Sequence, residues 1–187
     1  MIAQPASCGA YSTSRWLFLI FFIGLWSPLA HSQSLSVQQS MAFGSIAFKG
    51  NPQSGNLQMG TNGTITYGPS TDGSGFGTPA QLTIGGAVDT VVDVRCSSSA
   101  TLAHSSGATL TLSPIKISVA TGQTYGTATT CAGLSTSTLS HTVSANGALN
   151  ALWLGGQLQT NSQNLANGDY GSQLSGGSTI TVQVIVL

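Results

Sequence analysis

A chain of 187 residues with four Asp, no Glu and only four Lys or Arg is closed to most helical folds. Helices that face water draw their outer surfaces from Glu, Lys, Arg and Gln, whereas Gly, Thr and Val, all plentiful here, are poor helix formers. Val and Thr instead suit a pleated, half-buried surface, and the 24 Gly supply turns, so an all-β protein is expected. Ser, Thr, Asn and Gln must then carry its solvent face. The same shortage of charge excludes functions. Nucleic acid is not an expected partner, because phosphate backbones are bound by clustered Lys and Arg. Long-range steering of a charged substrate is excluded on the same ground.

The N-terminal segment bears on location. Arg15 is the only basic residue ahead of an uninterrupted apolar run, 16–26 (WLFLIFFIGLW). That run is shorter than the roughly 18 residues a membrane span needs and matches the core of a secretory signal peptide. Ser27 and Pro28 break it, and Ala30 and Ser32 supply small residues two apart. Residues 1–32 are therefore read as a leader cleaved after Ser32 or, second, after Ala30; an uncleaved anchor is the competing reading. The mature chain, 33–187, then has no membrane span, is exported to the periplasm, cell surface or beyond, and has the length of one domain. Loss of Cys8 leaves Cys96 and Cys131, for which a disulfide is expected in an exported chain. It would close a loop of about 35 residues, worth roughly 3 to 4 kcal/mol in chain-entropy accounts.

Along the mature chain, short alternating segments are divided by Gly, Asn, Pro and Ser. Leu35, Val37, Met41 and Phe43 share one parity, and the apolar parity changes after Gly44, which predicts a bulge or bend. A turn cluster, 50–55 (GNPQSG), precedes Leu57 and Met59; Ile65 and Tyr67 follow Asn62-Gly63, a hairpin signal. Val88, Val92, Val94 and Cys96 face one way and Asp89, Asp93 and Arg95 the other, the latter trio expected as a solvated surface cluster. Parity shifts again across Ser113-Pro114, marking an edge strand or a bulge. Leu152, Leu154 and Leu158 share a face opposite Trp153, for which cover by a neighbouring element is expected over an exposed contact role. In the terminal stretch, 178–187 (STITVQVIVL), Ile180, Val182, Val184 and Val186 alternate with polar residues until Ile185 and Leu187 make both faces apolar. A strand buried on both sides is expected there. The pattern predicts about eight to ten short strands in an Ig-like β-sandwich.

No catalytic constellation emerges. There is no GxSxG nucleophile turn, and the glycine-rich stretch 68–79 is not followed by the Lys and helix of a phosphate-binding loop. His104 and His141 have no Cys or carboxylate at metal-ligand spacing, so no metal, cofactor or enzymatic activity is expected. His141, on an apolar parity, is expected as a hydrogen-bonded, half-buried side chain. Asp169-Tyr170-Gly171 is placed to act like a tyrosine corner.

Several short motifs then follow one another in a telling order. They are Phe43-Gly44-Ser45-Ile46, Gly63-Thr64-Ile65-Thr66, Thr78-Pro79-Ala80 before a strand ending in Gly85-Gly86, Leu154-Gly155-Gly156-Gln157-Leu158, and Gly168-Asp169-Tyr170 before the terminal strand. Across most of 41–187 this order resembles a family of bacterial exported domains of unassigned function, similar in turn to chaperone-usher fimbrial subunits. The resemblance implies a pilin-like sandwich missing one strand, completed by an N-terminal extension of the next subunit. It also implies other copies or related subunits, a periplasmic chaperone and an outer-membrane usher as partners. Leu35, Val37, Met41 and Phe43, in 33–43, have the alternation of such a donor; equally open is that this segment is the first strand of its own sandwich. The chain departs from the fimbrial pattern in ending Val186-Leu187 without a nearby aromatic, and in placing its cysteines mid-chain. The function expected is a structural or adhesive surface subunit assembling by β-strand addition. The alternative is a self-contained secreted binding module, for instance for glycans through Tyr67, Tyr125 or Trp153. Intact-mass analysis of the exported protein is expected to give a chain beginning at Gln33, or at His31 for the second cleavage site. A mass that includes Trp16 to Trp26 establishes the anchor instead.

Overall fold

The computed structural model describes residues 33–44, 47–48, 56–68, 71–72, 77–160, 170 and 172–187. The expected leader, the 50–55 turn, and Ser45, Ile46, Gly168, Asp169 and Gly171 lie outside them. The described strands begin with β1 (Ser34–Gln39), β2 (Ala47–Phe48), β3 (Asn56–Met59), β4 (Ile65–Thr66), β5 (Thr71–Asp72), β6 (Ala80–Gly85) and β7 (Val91–Cys96). They continue with β8 (Ala100–Ala103), β9 (Thr109–Ser118), β10 (Thr129–Thr130), β11 (Leu139–Thr142), β12 (Ala151–Gln159) and β13 (Val182–Val186). A 3-10 turn, Gly147–Asn150, precedes β12. Among the described residues, nine strands have four residues or more, the number the alternating segments predict.

The protein is an all-β sandwich. Eight strands join in one antiparallel sheet, β11, β7 and β13 form a second, and β2 pairs with β5. Strand β12 is the hub of the larger sheet. One edge pairs with β9 from Trp153↔Ser118 to Gln159↔Thr111. The other pairs first with β6, from Ala151↔Thr83 to Leu154↔Ala80, and then with β3, from Gly156↔Met59 to Gln159↔Asn56. Gly155 sits at that handover, where a Cβ would run into the Met59 carbonyl and Gly60. Inward, Leu152 lies opposite Leu82, Leu154 opposite Ile117, and Leu158 between Leu57 and Leu112. These are the cross-strand apolar pairs that hold a sheet together.

The smaller sheet lays Val92, Val94 and Cys96 onto that surface, all fully buried, and the two faces share one core. Cys96 is bonded to Cys131, with 5.2 Å between Cα atoms. Because Cys131 directly follows β10 and donates its N–H to the Ile115 carbonyl, the disulfide ties the smaller sheet to the larger. The Asn62-Gly63 hairpin joins β3 to β4, with Gly63 at φ +80°. Gly44, at φ +72°, makes the bend expected after Phe43.

Three expectations are refined or corrected. Of the two readings of Ser113-Pro114, the bulge is the one observed: β9 is not an edge strand, and its register against β12 shifts between Gly156 and Leu158. Pro114 falls where β9 changes neighbour from β8 to β10, so no ladder N–H is lost. The terminal strand is not buried on both sides. Val182 and Val184 are half-buried, but Ile185, Val186 and Leu187 are 39, 48 and 76 % exposed, because β13 is the margin of a three-stranded sheet. Finally, Asp93 is not solvated. It is 3 % exposed, since the segment after Cys131 folds across β7 and the Leu134 carbonyl accepts from Arg95 Nη1.

Asp93 Oδ2 accepts from Arg95 Nε at 2.7 Å. Hydrogen bonding from Ser137, then from Arg95, holds the Asp93 carboxyl below its ordinary pKa of 3.8 despite burial. Its stabilising contribution is therefore complete above 3.8 and lost as pH falls through the lower native value. Asp93→Asn is expected to flatten the acid limb of an unfolding-versus-pH curve, leaving a limb set by the other groups. Gly155→Ala, which overfills the handover, is expected to cost about 1 to 3 kcal/mol in denaturant unfolding of the oxidised protein.

Candidate functional site

Two surfaces carry functional potential, one at the margin of the sandwich and one on its outer face. At the margin, β13 pairs with β7 from Val182↔Cys96 to Val186↔Val92, and among the described residues its other edge has no strand beside it. Edge strands are normally guarded by Lys, Pro or bulges against pairing with another chain. Residues 172–187 contain no charged residue and no Pro. The edge therefore presents unpaired backbone groups next to exposed Val186 and Leu187.

Strand β1 lies at the same margin, on the larger sheet, and packs against β13. It pairs with β6, Leu35 opposite Ile84 and Val37 opposite Leu82, with a register shift before Gln39. In the single chain the candidate donor segment thus occupies its own sandwich. Leu35, Met41 and Phe43 pack partly buried on the core, while Val37 is 68 % exposed. Folding brings the two groups proposed from sequence, the N-terminal alternating segment and Val182, Val184 and Val186, to one side of the protein; Ile180 packs on the core beside them. The uncharged terminal stretch, 172–187, is the signal in the sequence for this open edge.

On the outer face of the larger sheet, Gln81, Trp153 and Ser118 stand opposite one another across β6, β12 and β9. Gln81, Thr83, Ala151 and Trp153 line a cleft of about 420 Å³. One wall is the 3-10 turn, which carries Leu149, 57 % exposed. Asn146 caps that turn, its side chain accepting from the Ala148 N–H at 3.1 Å. Buried Asn150 anchors it through Ser144, donating to its carbonyl and accepting from its N–H, both at 2.8 Å. Asn150 Oδ1 also meets His141 Nε2 at 3.1 Å, which satisfies the half-buried His141 as expected. The opposite wall, Val119 to Thr121, is held where Ser118 Oγ donates to the Ala120 carbonyl and lies 3.0 Å from Thr61 Oγ1.

Trp153 is half-buried between these walls. The other aromatics named from sequence lie elsewhere. Tyr67 packs on the core, and Tyr125 donates to Gln157 Oε1 at 3.2 Å beneath Lys116 Nζ, 5.0 Å from its ring centroid. Desolvation pushes the Tyr125 hydroxyl pKa up. Tyr170 sets its ring 5.2 Å from that of His104, whose Nδ1 accepts from the Ser106 N–H. Among the described residues no three His, Cys, Asp or Glu side chains converge as metal ligands would. No described helix is long and apolar enough to cross a membrane. In comparisons with known proteins, no family model, no curated protein and no solved structure matches the chain.

Proposed function

We propose that this protein is an exported, non-enzymatic structural or adhesive subunit, fimbrial-like, that assembles at the bacterial surface by β-strand addition. The observation that carries the reading is the unguarded outer edge of β13. An added strand would satisfy its backbone groups and cover Val186 and Leu187, the arrangement by which extended segments dock on sheet edges. The occupant is the 33–43 segment of a second copy. Its alternating Leu35, Val37, Met41 and Phe43 suit such a site, and it is held in its own chain as a largely exposed edge strand followed by the Gly44 bend. Heterologous addition of this kind propagates head to tail and does not close on itself. A periplasmic chaperone and an outer-membrane usher are the partners that would keep the edge covered and order the addition.

The second reading, a self-contained secreted binding module, is favoured by the cleft at Trp153. The two separate on oligomeric state. Protein exported to the periplasm is expected to give a denaturant-resistant ladder of oligomers, and Val186→Lys, which places a charge on the open edge, is expected to give a folded monomer. Wild-type protein that stays monomeric at every concentration, with a neighbouring chaperone and usher supplied, overturns assembly and leaves the binding module.

A further inference from the structure

The cleft on the outer face combines two kinds of surface. Its walls are apolar: Leu149 stands 57 % exposed on one side and Val119 37 % exposed on the other, with the Trp153 ring between. Scattered exposed apolar side chains need no explanation, but here two flank the half-buried Trp153 in one concavity. Its polar groups, meanwhile, are uncommitted. The Trp153 indole N–H, the Gln81 amide and the Thr83 and Thr121 hydroxyls line the cleft, and none is engaged by a hydrogen bond within the described structure. None of these groups is sealed from solvent, so each can be met by a ligand that enters the cleft. Among the described residues no charged side chain lines the cleft.

We propose that this cleft binds an uncharged saccharide. A sugar ring has an apolar C–H face and an equatorial rim of hydroxyls, each both donor and acceptor. The Trp153 ring and Leu149 match the first. The Gln81 amide, able to donate and accept, and the Thr83 and Thr121 hydroxyls match the second. The absence of charge in the lining selects against uronic and sialic acids, which would leave a carboxylate desolvated without a cation. The volume of about 420 Å³ falls in the usual range for small-ligand sites, roughly 300 to 1,000 Å³. The walls are rigid enough to serve, since Asn150 and Ser118 lock them through buried or half-buried hydrogen bonds. The site lies on the face of the larger sheet and does not involve β13, so binding does not require assembly.

Trp153 is the only tryptophan after residue 26, so its emission reports on the cleft in the exported protein. Titration of that protein with cellotetraose, mannotriose and chitotriose, and with trigalacturonate as the charged comparison, is expected to give a saturable change with at least one neutral saccharide and none with trigalacturonate. By calorimetry, Trp153→Ala is expected to weaken binding about tenfold or more, and Leu149→Ala about fivefold or more. Leu149 is exposed enough that its loss leaves the fold intact, which keeps the test valid should Trp153→Ala fail to fold. Val186→Lys is expected to bind as wild type does, so failure of assembly and failure of binding are separate results. The proposal is overturned by no response to any of the three neutral saccharides at millimolar concentration, by affinity unchanged in Leu149→Ala, or by preference for trigalacturonate.

Discussion

The sandwich depends on one strand, β12, being able to hold three neighbours. That requires two strands, β6 and β3, to share one of its edges end to end, and the point where they meet has no room for a side chain. Gly155 meets the requirement. Its neighbour Gly156 lets Leu112 approach from the other edge, where an added Cβ would stand 3.0 Å from Leu112 Cδ1. With those two positions open, Leu152, Leu154 and Leu158 reach partners on every side, and the core closes over Leu57, Leu82, Ile117 and Leu112. The disulfide then sets the second sheet on this base through Cys96 and Cys131.

That division of labour explains where the surfaces of interest arise. The larger sheet absorbs eight strands, and the smaller has three, so its margin at β13 is left with backbone groups facing outward. The outer face of the larger sheet is partly filled. The β3–β4 turn sits over Gly155 with Thr61 buried, and the 120–128 segment covers that turn, with the Gln123 carbonyl accepting from Thr61 Oγ1. Beyond this cover, toward Ala151, the 3-10 turn stands beside the sheet, and half-buried Trp153 lies in the cleft between the two. Margin and cleft are thus two consequences of the same packing, one proposed for assembly and one for a ligand.

Much of the fold was legible from local pattern. The alternation that put Val92, Val94 and Cys96 on one face and Leu152, Leu154 and Leu158 on another follows from strand geometry alone, and these residues are buried; Val88, expected on the same face as Cys96, is 51 % exposed because β7 begins only at Val91. Asn62-Gly63 and Gly44 marked chain reversals because few other residues accept a positive φ. The sites were less legible. Asp93 looked solvated because parity assigns a face of the sheet but not what covers it, and the cover came from a segment some forty residues later in the chain. Ile185 and Leu187 looked buried for the same reason in reverse: apolar side chains on both faces say nothing of whether a second layer extends that far.

Composition, parity and the glycine, asparagine and cysteine positions by themselves determined an all-β chain, its inward residues, its turns and the cysteine pair available for a bridge. These are properties of neighbours in sequence, fixed by the two-residue period of a strand and the torsions each residue tolerates. Only the tertiary structure decided that Ser34–Gln39 lies on β6, that among the described residues β13 has no strand on its outer edge, and that Leu149, Val119 and Trp153 line one cleft. Each of those depends on which strands pair across long stretches of chain. Pairing is settled by the total burial of the core and by the one position, Gly155, where three strands can meet.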